Sequence, residues 1–140
     1  LLPYLKYAGI RRLDGVFVSH PDEDHSNGVL ELFDLMREND ITVEQLILPD
    51  IEDEASEEQL GELVNAVMKV GRMAGVRQDE KGREGTTGVA YISEGDAWQC
   101  DAAVFRCLHP YKDYSGADSN QYSQCIYVEF LEKKWFLFHG

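Results

Sequence analysis

Residues Ser19-His20-Pro21-Asp22-Glu23-Asp24-His25-Ser26-Asn27-Gly28 place two imidazoles and three carboxylates within the six positions from His20 to His25. Packing that many acids so closely is costly unless something positive neutralises them. Histidine nitrogen and aspartate oxygen together ligate divalent metals, and a curved backbone would let His20 and Asp22 face one ion while Asp24 and His25 face another. Two such ions, about 3.5 to 4 Å apart, activate water for hydrolysis. Asp24 could also accept a proton from the nucleophile. A polar turn with an N-cap aspartate is the plainer account of any one of these residues taken alone. A calcium EF-hand fails twice: counted from Asp22, Asn27 stands where the loop needs glycine, and Phe33 stands where it needs glutamate.

The elements that must position this cluster are legible from hydrophobic period. Residues 1–9 fit a helix with Leu2, Tyr4 and Leu5 on one side, stopped at Gly9. Leu13 to Ser19 is an apolar run suited to a buried strand, which puts His20 at its carboxyl end. Val29, Leu32, Phe33 and Met36 then form the stripe of an amphipathic helix running to about Asp40, and Val43 to Leu48 is a second strand ended by Pro49. A further helix is predicted from a capping box of Ser56 with Gln59, with Leu60, Leu63, Val64 and Val67 as its stripe. Its acidic start and the basic Lys69 and Arg72 complement the helix dipole.

From Gly75 the period becomes extended, with Val76, Val89 to Ile92, Ala102 to Leu108, Cys125 to Leu131 and Trp135 to Phe138 as strands and Lys133 in a hairpin turn. Lys81 to Gly88 reads as a glycine-rich loop tip, since no Lys-Ser/Thr pair completes a phosphate-binding loop. The order is βαβα followed by an antiparallel meander, an α+β layered fold of one domain spanning 1–140.

Composition narrows the chemistry. Thirteen Lys and Arg against 26 Asp and Glu leave a formal net charge of −13, so no basic groove can hold a nucleic-acid backbone by charge alone. Phosphate chemistry would need metal ions. No apolar run approaches the roughly 20 residues that span a bilayer. Cys100, Cys107 and Cys125 form no CxxC pair, and their odd number leaves at least one thiol without an internal partner. The apolar start and the terminal WFLFHG read as a helix interior and a cut strand, so the chain is expected to be an excised fragment. A fragment with bare edges is expected to self-associate through a strand edge or the first helix.

The motif resembles the first metal motif of the metallo-β-lactamase superfamily, His-x-His-x-Asp-His, with Asp22 where the second histidine usually stands. LLPYLKYAGIRRLDGVFVSHPDEDHSNGV is similar to the metallo-β-lactamase-like domain of the ComEC family of DNA-uptake (competence) proteins, which typically reads LPYL…GI…LD…SHPD.DH.GG and carries that aspartate as a rule. Asn27 departs from the usual glycine. Weaker similarities follow: Leu108-His109-Pro110 to the family's LHP, Asn120 to Ser123 to its N..S, and the segment from Trp135 to Gly140 to its FLLTG strand.

The resemblance implies an αββα sandwich, incomplete at both ends, because the family's DVGQGD strand would precede Leu1 and its bridging Asp and His-His-Gly-Ser segment would follow Gly140. It implies a nuclease or phosphodiesterase acting on DNA during uptake, attached to the rest of a membrane-embedded protein at the extracellular face of the cell membrane. Its cofactors would be divalent metal ions, zinc or manganese or magnesium, two per complete domain, held by His20, Asp22, Asp24 and His25, with Asn120 as an oxygen ligand or oxyanion donor near where the superfamily's third motif supplies a histidine. With outside ligands absent, the expected occupancy is nil or one weak ion, and the fragment is expected to be inactive.

Several alternatives stay open. The domain could be a noncatalytic metal-binding or structural module of such a DNA-uptake protein, or could hydrolyse a small thioester or lactam. Asn120 could simply cap a turn. His109 reads as structural before Pro110, with a place near the metals as the alternative because it ends a strand beside the same face; His139 reads as strand packing, and Ser19 as a backbone-bonding residue rather than a nucleophile.

Overall fold

The computed structural model describes residues 2–39, 41–51, 54–69, 76–78, 84–86, 88–115, 118–131 and 133–138. Within these, the side chains of 23–25, 36–39, 54–57, 66–69, 76–78, 84–86, 119 and 135–138 lie outside the description. The architecture is mixed α+β, with three α-helices and both parallel and antiparallel sheets among the described residues.

Helix α1 (Leu2–Tyr7) ends where Gly9 takes φ 68°, a left-handed conformation that glycine adopts without steric cost. The Ile10 N–H then donates to the Leu5 carbonyl at 2.9 Å and the Gly9 N–H to Lys6 at 3.1 Å, which satisfies carbonyls the helix end would leave bare. Leu5 is buried, whereas Tyr4, expected on the same apolar side, is 64% exposed. A helix this short turns one narrow stripe inward, and Tyr4 falls off it.

Each predicted opening strand is divided in two. β1 (Arg12–Leu13) pairs in parallel with β3 (Thr42–Val43), and β2 (Val16–Phe17) with β4 (Leu46–Pro49). The Glu44 N–H donates to Leu13 and the Val16 N–H to Gln45, both at 2.9 Å, so the ladder continues across the breaks. Gly15 sits at the first break because a Cβ there would lie 3.0 Å from Ile47 Cδ1 and from the Trp98 ring.

Between them runs α2 (Glu23–Asn39), and after β4 comes α3 (Glu54–Lys69). Val29, Leu32, Phe33, Leu60 and Leu63 of these helices are buried against Leu46 and Leu48. The α3 start precedes the expected capping box, since Ser56 lies inside the first turn; its side chain, like those of Met36 and Val67, is outside the described residues. An acid-rich first turn already complements the dipole there.

Two corrections concern the segment after α3. Glu84–Thr86, expected to be loop tip, forms β6, antiparallel to β5 (Val76–Gln78). β7 (Val89–Ile92) pairs with β4 in parallel, not within an antiparallel meander. Periodicity marks a strand but not its direction, which here follows from pairing with β4 after the crossover through α3. The meander begins only at β8 (Ala97–Cys100), a strand not among those expected from hydrophobic period. It continues through β9 (Ala103–His109), β10 (Cys125–Phe130) and β11 (Lys133–Phe138) in sheet order β11-β10-β9-β8. Lys133 opens β11, after Leu131 takes the turn at φ 47°. His139 lies outside the described residues.

The helices cover one face of the β2-β4-β7 sheet, and the antiparallel sheet packs on the other. There Phe17 and Ile92 meet Phe105, Cys107, Ile126 and Val128. Phe17 stacks on Phe105 at 5.5 Å and meets Trp98 edge-on at 5.8 Å, joining the two sheets.

All three cysteines are free thiols. Burial pushes the Cys107 thiol up to about 12 from 9.0, partly offset by hydrogen bonding with the His109 backbone; the thiol itself donates to the His109 carbonyl at 3.0 Å, which favours its protonated form. A raised pKa keeps the thiol protonated, so its thiolate fraction at pH 8 should be on the order of a hundredfold or more below that of an ordinary cysteine. Alkylation at pH 8 followed by peptide mass mapping should mark Cys100 and Cys125 well before Cys107. Equal rates at all three would show that the seam between the sheets is open.

Candidate metal centre

β2 delivers Val18, Ser19 and His20 to the carboxyl end of the parallel sheet, with the Val18 N–H still bonded to Ile47 at 3.0 Å. Pro21 and Asp22 turn the chain, and α2 begins at Glu23, its first helical bond running from the Ser26 N–H to the Asp22 carbonyl at 2.9 Å. The turn is therefore shorter than the sequence suggested. Asp24 and His25 leave from helical backbone, and their side chains lie outside the described residues.

His20 is buried, 1% exposed, and its two ring nitrogens face different chemistry. Nε2 lies 3.7 Å from Asp22 Oδ2. Nδ1 meets the Ser19 hydroxyl at 3.1 Å and the Ser123 hydroxyl at 3.2 Å. Asp22 is partly open to solvent, and Asn120 Nδ2 donates to the same Oδ2 at 3.3 Å. Three of the five residues singled out by sequence, His20, Asp22 and Asn120, thus meet around one carboxylate oxygen. Asn120 reaches it as a nitrogen donor to Asp22.

The far side of the site is a short 3-10 turn, Ser119–Tyr122, capped by Asp118, whose carboxylate accepts from the Gln121 N–H at 3.3 Å. The Ser123 N–H closes on the Asn120 carbonyl at 3.1 Å, and the Gln124 N–H donates to Ser19 at 2.9 Å. Tyr122 is buried and anchors the turn in the helical core. His109 Nδ1 lies 3.0 Å from the Ser123 carbonyl, and its ring packs edge-on against Tyr111 and Tyr114 at 5.2 and 5.0 Å. His109 therefore neighbours the centre through Ser123.

Ser123 and Gln124 escaped the sequence reading as site residues. The available signals were the hydroxyl three positions after Asn120 and an amide at the mouth of an apolar strand, 3% exposed in the fold. Ser19 bonds through its backbone carbonyl, which accepts from the Gln124 N–H, and its hydroxyl also lies within hydrogen-bond reach of a base, His20 Nδ1. With Ser19 at 8% and His20 at 1% exposure, substrate cannot reach that pair, and a nucleophilic role does not follow.

Among the described residues no group of three or more His, Cys, Asp or Glu converges to hold a metal ion. The described part of the centre is the His20–Asp22 pair. Its donors are those of a divalent-metal site, and the 3.7 Å separation is near the roughly 3 to 3.5 Å between neighbouring ligands of an ion bound at about 2.1 Å. A metal-bound histidine usually donates its other ring N–H to an acceptor, and the Ser19 and Ser123 hydroxyl oxygens lie where they could accept it. No known protein family matches the chain, and no curated protein matches it.

Proposed function

We propose that the chain is a metallo-β-lactamase-like domain of the ComEC kind, built on that superfamily's αββα sandwich, and that it serves metal-dependent hydrolysis of DNA phosphodiester bonds. The observation that carries the reading is the meeting of His20 Nε2 and Asp22 Oδ2 at 3.7 Å, directly after a buried parallel strand and before a helix. The helix layer over one sheet, with a second sheet beneath, supports it. His20, Asp22, Asp24 and His25 would hold the ions, zinc or manganese or magnesium. Such ions lower the pKa of water and neutralise charge on phosphoryl oxygens, which a chain of net charge −13 otherwise repels.

In this reading Asn120 orients Asp22, and Asp24 accepts a proton. The domain would act during DNA uptake, at the outer face of a cell membrane and attached to membrane-embedded parts of a longer protein. Among the described residues no helix is long and apolar enough to cross a bilayer. A second reading, a noncatalytic metal-binding module, is favoured by the near-complete burial of His20.

Hydrolysis of a single-stranded oligonucleotide with manganese or zinc, measured beside metal content, separates the two. Catalysis predicts that Asp24→Asn lowers the rate by about a hundredfold or more. Metal uptake that depends on Asp24, with no cleavage by either protein, would establish the second reading. No uptake and no cleavage by a protein that also carries the ligands the resemblance places after Gly140 would end both.

A further inference from the structure

We infer that Ser123 is a positioning residue for the metal ligand His20, and that the turn from Asp118 to Gln124 is a single clasp setting both described ligands; the inference rests on the metal reading above. Two hydroxyls approach His20 Nδ1, but they differ in what they can fix. Ser19 is the neighbouring residue and travels with His20. Ser123 comes from 103 positions away, and its backbone is held on both sides. Its N–H is bonded to Asn120, its carbonyl faces His109 Nδ1, and the following Gln124 N–H grips the Ser19 carbonyl at 2.9 Å. Ring and backbone of the Ser19-His20 step are therefore tied to one turn. That turn also sends Asn120 to Asp22.

A hydroxyl suits this position for a chemical reason. While Nε2 carries the proton and faces Asp22, Ser123 can donate to Nδ1. Were Nε2 to give its lone pair to an ion, the ring proton would sit on Nδ1 and the Ser123 oxygen would accept a hydrogen bond from it. The net proton count on the ring is unchanged, and the hydrogen bond persists in both states. A carbonyl, which only accepts, could serve one state alone.

The test is zinc titration of the whole 140-residue chain against a chromophoric chelator, for wild type, Ser123→Ala, Ser123→Cys and Ser123→Thr, with far-UV circular dichroism as the check on folding. Nitrogen-15 correlation spectra of the histidine rings are recorded with and without zinc. Ser123→Ala should weaken zinc binding about tenfold or more and shift the Nδ1 resonance of His20 in the metal-free chain. Ser123→Thr, which keeps the hydroxyl, should restore both. If the alanine variant does not fold, Ser123→Cys, close in size and a weak hydrogen bonder, should show the same loss. Wild-type affinity in a folded alanine or cysteine variant, or an unmoved Nδ1 resonance, would overturn the role of Ser123 and leave the metal reading standing. A protein that also carries the ligands the resemblance places after Gly140 and still binds neither zinc nor manganese would overturn the metal reading, and this inference with it.

Discussion

On the proposed metal reading, replacing His20 with alanine is expected to weaken zinc binding by more than about a hundredfold, because loss of an outer partner alone costs 10- to 100-fold and this change would remove a ligand itself. The same substitution acts on stability. His20 is 1% exposed, and its removal leaves a cavity and strips the Ser19 and Ser123 hydroxyls of a shared partner. Each lost contact of that kind is worth about 1 to 3 kcal/mol, so unfolding should be measured by urea titration beside zinc binding. Asp22→Asn separates the two effects: with Asp22 at 30% side-chain exposure, the fold should tolerate the change while affinity falls. Zinc affinity retained in a folded His20→Ala chain would remove His20 from the ligand set and, with it, the main support for hydrolysis.

Phe33→Ala is expected to cost about 3 to 5 kcal/mol of stability, a large share of the roughly 5 to 15 kcal/mol that holds a domain of this kind together. Phe33 is 1% exposed at the heart of α2, in one cluster with Leu32, Leu46, Leu48 and Leu60. It fastens the helix whose first turn carries Asp24 and His25. Phe33→Leu, which keeps most of the volume, should cost much less. Equilibrium urea unfolding gives both values, and a loss below about 1 kcal/mol for the alanine variant would mean that α2 is not seated on the sheet as described.

Both expectations draw on features legible before any coordinates. Val29, Leu32 and Phe33 recur with the period of a helix, and that period records which side faces a core whatever the core is. The same holds for the runs that became β2 and β4 and for the clustering of His20, Asp22, Asp24 and His25, whose chemistry is carried by residue type. Even the αL turn at Gly9 could be read, because only a residue without a Cβ adopts that conformation freely.

What tertiary structure decided is of another kind. Val89 to Ile92 has the composition of any buried strand, and only its pairing with β4 after the crossover through α3 made it parallel rather than the first arm of a meander. The short run Ala97 to Cys100 was too brief and half-exposed for its alternation to stand out, and it became a strand by pairing with β9. The hydroxyl of Ser123 and the amide of Gln124 are visible in the sequence, but nothing local says which residues they hold. Their hydrogen bonds to His20 and Ser19 join positions more than a hundred residues apart, and hydrophobic period reports burial along the chain but never the identity of a distant polar partner. Local physics therefore determined which elements form and which residues bear chemistry, while strand direction and the clasp around His20 came from long-range pairing, since buried donors and acceptors must find partners wherever the fold brings them.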